Sequence, residues 1–366
     1  MSLHTQNNSH NKRYTKQIKL EGFGVEAQEK LLNARVLIIG AGGLGCPAIT
    51  YLASAGVGTI GIMDHDRIEE TNLHRQPLYS YKDIGKPKVQ VAGERARMLN
   101  PEAKILEFRE KITPQNALDI IKDFDLLLDC TDNYEARYLI NDSCILLDKP
   151  WIYGAVEAWE GQLSVFNLIR PDGSKTASYR CIFPEASENA LNCNDIGVIG
   201  TLPGTIGLLQ ANEAIKILTG IGEIQSGLLL VDLLHNNFQK ITVKRNNTAI
   251  AGITKLKMSY GADCNIVIDD EITFEQVVAD RDRYFIIDIR DRNEIDTVGF
   301  EMSDAQVPMH SLIQDGFPFK ENLSYVLVCA SGKRSAATVS KLKTTYPKLL
   351  FYSLKGGVMA NSTLIK

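Results

Sequence analysis

At 366 residues, with 44% hydrophobic and 23% charged residues, the chain is long enough for two or three domains with cores of their own and too apolar to be disordered throughout. A formal net charge of -4 gives no electrostatic reason to expect nucleic acid or a membrane surface, and no apolar run approaches the roughly 18 residues of a spanning helix. The opening MSLHTQNNSHNKRY lacks the apolar core of a secretory signal, and the seven cysteines include no CxxC pair that would suggest a disulfide framework or zinc site, so a cytoplasmic protein is expected.

Residues 1–12 are polar and read as a disordered tail. A first helix is expected over Glu26 to Asn33. ARVLIIG then reads as a buried strand, GAGGLG as a tight turn, CPAITYLASAG as a helix of small residues closed by glycine, and TIGIMD as a second strand ending on Asp64. This is a βαβ unit. KPKVQVAGERARMLNP predicts a surface helix stopped by Pro101. AKILEFRE, FDLLLDCTDN and CILLDKPWIYG predict further strands. GQLSVFN alternates as an antiparallel strand would. Residues 171–197 form a polar stretch long enough to suggest a lid or a disordered loop. LPGTIGLLQANEAIKILTG is an amphipathic helix stopped at Gly220, and GLLLVDLLHNNFQKITVKR reads as two strands and a turn. Residues 246–265 have linker composition. From 266 to 366 strands and helices alternate again, enough for a small α/β domain. The fold class is therefore α/β: a Rossmann-like domain with a mostly parallel sheet over 13–245, then a smaller α/β domain.

Gly40, Gly42 and Gly45 follow a strand as G-x-G-x-x-G, and Asp64 lies nineteen residues beyond Gly45. Such a turn lets backbone approach phosphate while amides at a helix start face negative charge, and the carboxylate accepts from ribose hydroxyls. A redox dinucleotide would suit this much. It would not need the polar segment that follows, DHDRIEETNLHRQPLYSYKDIGKPKVQVA, with Asn72, Arg75, Gln76 and Lys88, or the later CTDN with Asp132 and Asn133. Cations suit a triphosphate, and a nearby carboxylate suits Mg²⁺. By spacing alone Asp132 could instead cap a turn, Lys88 could be a solvated helix residue, and Arg137 reads equally well as a surface residue.

RYTKQI, GAGGLGCPAITYLASAGVG, DHDRIEETNLHRQ, DIGKPKVQVA, DCTDNYEAR, RCIFPE and GVIGTLPGTIG together resemble the ubiquitin-activating-type adenylyltransferases that act on small sulfur-carrier proteins in molybdopterin and thiamin synthesis. The resemblance covers about 13–245. It implies an enzyme that joins the carboxyl-terminal glycine of a ubiquitin-like carrier to AMP, using ATP and Mg²⁺ and working as a homodimer. Carried over, it implies that Gly43 lies against the nucleotide, that Asp64 holds the ribose, that Asn72, Arg75 and Lys88 meet the phosphates, and that Asp132 positions Mg²⁺. Arg13 is assigned to the same pocket. Lys16 stands where the family has a second arginine, which keeps the charge and loses the bidentate fork. Relatives commonly bind zinc through two CxxC pairs; here the first reads Ser178-Tyr-Arg-Cys181 and VKRNNTAIAGITKLK has no cysteine, so no zinc is expected. Cys193, in LNCNDIG, matches a family cysteine implicated in acyl or persulfide handling, against the plainer reading of an incidental loop cysteine.

At the other end, VLVCASGKRSAA ends a strand on Cys329 and follows it with Ala330, Ser331, Gly332, Lys333, Arg334 and Ser335. Backbone amides, a helix start and basic residues around a sulfur favour thiolate and any anion it carries. With FIIDIRD before it and LKGG after it, this segment resembles the rhodanese sulfurtransferase domain, over about 266–366. A cysteine phosphatase loop would place five residues before the arginine; here four intervene. The two resemblances imply adenylation of a carrier ending in Gly-Gly, then attack by persulfide on Cys329, loaded by a donor such as a cysteine desulfurase, to give a thiocarboxylate. Activation and thioester transfer of a ubiquitin-like modifier through Cys193, and a non-enzymatic adaptor, stay open as alternatives.

Overall fold

The computed structural model describes residues 12–184, 197–260, 270–314, 316–320 and 323–361. The chain divides into two compact units, Met1–Asp263 and Cys264–Lys366.

The first unit is built on an eight-stranded sheet in the order β3-β2-β1-β4-β5-β6-β7-β8. Strands β1 (Arg35–Ile39), β2 (Thr59–Met63), β3 (Lys104–Phe108), β4 (Leu126–Asp129) and β5 (Trp151–Glu157) run parallel. β6 (Glu160–Phe166), β7 (Leu228–Asp232) and β8 (Asn237–Ile241) continue it antiparallel. RVLII and LLLD are unbroken apolar runs because helices cover both faces of the parallel half. Along β1, Val36 and Ile38 enter one core with Ile49, Leu52 and Ile206, whereas Leu37 and Ile39 enter the other with Phe124, Trp151 and Tyr179. The chain moves outward from β1 in both directions, so β1 and β4 flank a switch point, and a crevice opens beyond their carboxyl ends.

Local chemistry explains the boundaries. The Gly45–Ala55 helix stops at Gly56 and the Thr201–Thr219 helix at Gly220, each glycine in the left-handed conformation that closes a helix without a Cβ clash. Pro203 sits in the first turn of the latter helix, where its missing N–H costs nothing. The expected first helix begins two residues early, at Gly24.

Two expectations are corrected. CILL is not strand: it ends the Tyr134–Leu146 helix, whose amino terminus is capped by the Asn133 side chain accepting from Ala136 N–H, and the strand begins only at Trp151. Buried on nearly every side, this helix has no polar stripe from which a period could be read. Nor is the stretch from Thr176 to Arg180 an exposed lid; it is buried, with Tyr179 inside a cluster formed by Trp151, Tyr153, Phe166 and Phe183, while residues 185–196 of the expected lid or loop lie outside the described residues. Arg180 donates to both oxygens of Asp142 at 2.8 and 2.9 Å. Residues 246–260, of linker composition, lie on this unit, and Tyr260 is buried in its second core.

Among the described residues the second unit has five parallel strands, β9 (Glu271–Ile272), β10 (Tyr284–Asp288), β11 (Ala305–Gln306), β12 (Ser324–Val328) and β13 (Leu350–Leu354), in the order β11-β10-β12-β13-β9. Its two cores again divide by strand alternation, with Tyr325 and Leu327 on one face and Val326 and Val328 on the other. Central β12 ends where Cys329 begins.

Candidate active sites

At the carboxyl ends of β1 and β4 lies a cavity of about 830 Å³, lined by Gly40, Gly42, Gly43, Asp64, Asn72, Arg75, Gln76, Lys88, Asp132, Asn133 and Arg137 among others. The glycine turn is dictated by crowding. Gly40 has φ of 99°, and a Cβ there would lie 2.4 Å from the Cys130 carbonyl oxygen; at Gly43 it would lie 2.8 Å from Pro203. Any side chain would displace β4 or the Thr201–Thr219 helix, so the turn stays thin and its amides open to a ligand.

Asp64, on the residue after β2, accepts from Ala41 N–H and from Asp66 N–H, both at 2.8 Å. Two backbone donors fix its carboxylate, and each oxygen keeps a lone pair for a hydroxyl. Asn72 and Arg75 belong to a short turn held together internally: Asn72 Oδ1 accepts from Glu69 N–H and Arg75 Nη1 donates to the Thr71 carbonyl. Gln76 is buried, and its Oε1 has no hydrogen-bond partner among the described residues, an orphan that a ligand donor would satisfy. Lys88 is buried too, with Nζ 2.9 Å from half-exposed Asp66. It is not a solvated helix residue.

Beyond β4, Asp132 is exposed at the cavity, while Asn133 is committed to capping its helix. Asp129 is fully buried; burial pushes its carboxyl up to about 6, opposed by Arg137 and by hydrogen bonds from Thr131. Arg137 is the residue whose place the sequence left undecided. It is 3% exposed, with Nε 3.9 Å from Asp129, a bond from Nη2 to the Thr131 carbonyl, and its guanidinium 5.2 and 5.5 Å from the rings of Tyr134 and Tyr153. It also lines a neighbouring cavity of about 280 Å³. DNYEAR marks only where the helix starts, at its cap Asn133; a helix buried on nearly every side offers no spacing from which the inward position of Arg137 could be read.

Arg13 and Lys16 do not line this cavity in their own chain. Arg13 Nη1 donates to the Leu99 carbonyl, and Lys16 is exposed on the first short helix. Cys193 lies outside the described residues. Cys181 sits where the zinc question arose, with Sγ accepting from Asn246 N–H at 3.2 Å and Ser178 N–H at 3.4 Å. Arg245 beside it donates to the Thr176 carbonyl and Asn167, so hydrogen bonds tie the two segments directly. Among the described residues the His, Cys and carboxylate side chains close enough to share an ion are Asp64, His65 and Asp66, at the cavity rather than near Cys181. Cys46, Cys130 and Cys144 are buried with thiols pushed up by desolvation, Cys46 to about 12, which keeps them inert.

In the second unit Cys329 is fully buried at the end of β12. Its Sγ lies 3.4 Å from both the N–H and the hydroxyl of Ser335, in the first turn of the Lys333–Thr345 helix. The LKGG turn clamps the loop: Val358 and Met359 N–H donate to the carbonyls of Cys329 and Ala330, and a Cβ at Gly357 would lie 2.3 Å from the Cys329 oxygen. Arg334 faces Glu294, donating from Nη1 to Oε2 at 2.8 Å, and this pair holds the Glu294 carboxyl below its ordinary value.

The ThiF family model matches residues 14–251. The chain belongs to the ThiF family. Over its second unit as well it is similar to a ThiF-type fusion, the "probable adenylyltransferase/sulfurtransferase MoeZ" of Mycobacterium tuberculosis, at 37% identity covering 95% of this chain and 92% of that protein. The "sulfur carrier protein adenylyltransferase" of Thermus thermophilus is 44% identical, covering 64% of this chain and 88% of that protein. Among solved structures, E. coli MccB with ATP shares the fold, with a TM-score of 0.56 and 24% identity over 64% of this chain and 72% of that one. This ThiF-family member is thus an adenylyltransferase and sulfurtransferase with a rhodanese-like second unit. No helix among the described residues is long and apolar enough to cross a membrane.

Proposed function

We propose that the first unit adenylates the carboxyl-terminal glycine of a ubiquitin-like sulfur carrier ending in Gly-Gly, and that the second delivers persulfide sulfur from Cys329 to form the carrier thiocarboxylate, for molybdopterin or thiamin synthesis. The observation that carries this reading is the pairing, in one chain, of a cavity lined by cations and a thin glycine turn with a buried cysteine whose sulfur meets the N–H and hydroxyl of Ser335 at a helix start. A dehydrogenase has no use for the second feature, and a free-standing sulfurtransferase none for the first.

In this reading Asp64 accepts from the ribose, the amides of the glycine turn face the phosphates, and Arg75 and Lys88 hold phosphate oxygens, Lys88 exchanging its bond to Asp66 for one to ATP. The exposed carboxylate of Asp132 on the cavity wall would hold Mg²⁺, which would neutralise charge on those oxygens when bound. The carrier carboxylate attacks the α-phosphorus and pyrophosphate leaves. The terminal sulfur of the Cys329 persulfide then attacks the acyl carbon, AMP leaves, and an acyl disulfide forms. A second thiol, for which Cys193 is the candidate, cleaves it to thiocarboxylate and is oxidised to a disulfide that a further thiol reductant must reopen. The partners are the carrier, a persulfide donor such as a cysteine desulfurase, and a second copy of this chain.

The test is intact-mass analysis of a Gly-Gly carrier incubated with this protein, Mg-ATP, a persulfide donor and reductant, beside the Cys329→Ala variant. Exchange of oxygen for sulfur with wild type alone supports the coupled reaction. A carrier held as a stable thioester on the chain would instead favour the modifier-transfer reading.

A further inference from the structure

Behind Cys329 the structure carries a second hydroxyl that plays no part in the reaction described so far. Ser353, the penultimate residue of β13, is fully buried, as are Ser335 and Cys329. Its Oγ lies 2.8 Å from Ser335 Oγ and 3.2 Å from the Gly332 carbonyl oxygen. Ser335 Oγ in turn lies 3.0 Å from that carbonyl and 3.4 Å from Cys329 Sγ. The Gly332 carbonyl already accepts Ala336 N–H, so one lone pair remains for a hydroxyl.

Counting protons decides what the arrangement does. In the thiol form the S–H and two O–H groups are enough for every acceptor. Once the sulfur is an anion it keeps the Ser335 N–H, but only two hydroxyl protons remain, and the charged sulfur and the open lone pair of the Gly332 carbonyl, which already accepts Ala336 N–H, compete for them. With Ser353 present, its proton goes to Gly332 and that of Ser335 goes to the sulfur. Without it, the single Ser335 proton is shared between the second lone pair of that carbonyl and the anion, which weakens the bond to sulfur without abolishing it.

We propose that Ser353 is a positioning residue for the sulfur-transfer step, freeing the Ser335 hydroxyl to donate to the thiolate or persulfide of Cys329. The inference rests on the reading that Cys329 carries the sulfur. Among the described residues, Arg290 is bound to Asp288 on β10 and Arg334 to Glu294, and both pairs are the same in every variant below.

The test uses the full chain. Alkylation of Cys329 by iodoacetamide is followed across pH by mass spectrometry of the Cys329 peptide, in wild type, Ser335→Ala, Ser353→Ala, the double variant and Ser353→Thr. Restricted access to the sulfur scales the rate at all pH values, so the midpoint reports ionisation. Loss of one charge-assisted hydrogen bond predicts a midpoint raised by about one pH unit for Ser335→Ala, and by roughly half of that for Ser353→Ala. The double variant should match Ser335→Ala, because Ser353 acts through Ser335, and threonine should restore the wild-type midpoint. An unmoved midpoint in folded Ser353→Ala, or shifts that add in the double variant, would overturn the proposal.

Sulfur loading separates this outcome from failure of the underlying reading. With thiosulfate as probe, the Cys329 thiolate takes the sulfane sulfur and sulfite leaves. Wild type should gain one sulfur on the Cys329 peptide, and Ser353→Ala should load several-fold more slowly at neutral pH. If wild type gains none on Cys329, the sulfur-carrier reading itself fails; if both load alike, only the role of Ser353 does.

Discussion

Arg137 and Asp129 form the buried pair on which the end of β4 depends, and each is expensive to leave alone. Removing the guanidinium strands a carboxylate that burial already disfavours, so Arg137→Ala should lower the stability of the first unit by about 3–5 kcal/mol, read as a shift in the urea midpoint with unchanged slope. The same change opens the wall shared by the two cavities, and carrier-dependent ATP–pyrophosphate exchange should fall with it. Asp132 is the opposite case. It is exposed and carries no fold, so Asp132→Ala should leave the urea midpoint within about 0.5 kcal/mol of wild type while exchange drops by a hundredfold or more, on the order expected for loss of a group that organises transition-state charge. A midpoint shift as large as that of Arg137→Ala would mean that Asp132 is structural.

At the scale of elements, the Arg292–Thr297 helix and the Lys333–Thr345 helix are joined by Glu294 and Arg334. Arg334, expected in the sulfur cradle, has its guanidinium on this pair instead. Because the pair holds the Glu294 carboxyl below its ordinary value of 4.5, its contribution is fully present above that value and is lost as pH falls through the lower folded one. The unfolding midpoint of the second unit should therefore decline below about pH 4.5, and Glu294→Gln should remove that part of the decline while lying below wild type at neutral pH. Parallel titration curves for the two proteins would show that the pair contributes nothing to stability. The glycine turn, β2 with Asp64, and the cysteine loop were legible because short-range chemistry dictates them: a strand, a thin turn and a helix in direct succession. CILL was misread as strand for a converse reason. A helix buried all round loses its polar stripe, and only the cap at Asn133 marks where it starts.

For the whole molecule, the two units divide the labour proposed here. Cys329→Ala should keep carrier-dependent exchange at wild-type rate and make no thiocarboxylate, and Asp132→Ala should load sulfur on Cys329 and make none either. If sulfur is delivered within a tethered assembly, an equimolar mixture of the two variants should form thiocarboxylate more slowly than wild type at the same total concentration, and the deficit should close as concentration rises. Equal rates at all concentrations would show that tethering does not help delivery. Taken by itself, the order of residues was enough to name two α/β units, a nucleotide turn with its acidic partner, and a cysteine loop, since each is a contiguous pattern whose chemistry is local. What needed the tertiary structure were the relations between distant segments. Folding turned Arg137 inward onto Asp129, placed Arg13 on Leu99 rather than in the cavity of its own chain, drew Arg334 to Glu294, and brought Ser353 from another strand behind Ser335. No spacing encodes those pairings, because burial and proton supply depend on what the packed neighbours leave unsatisfied.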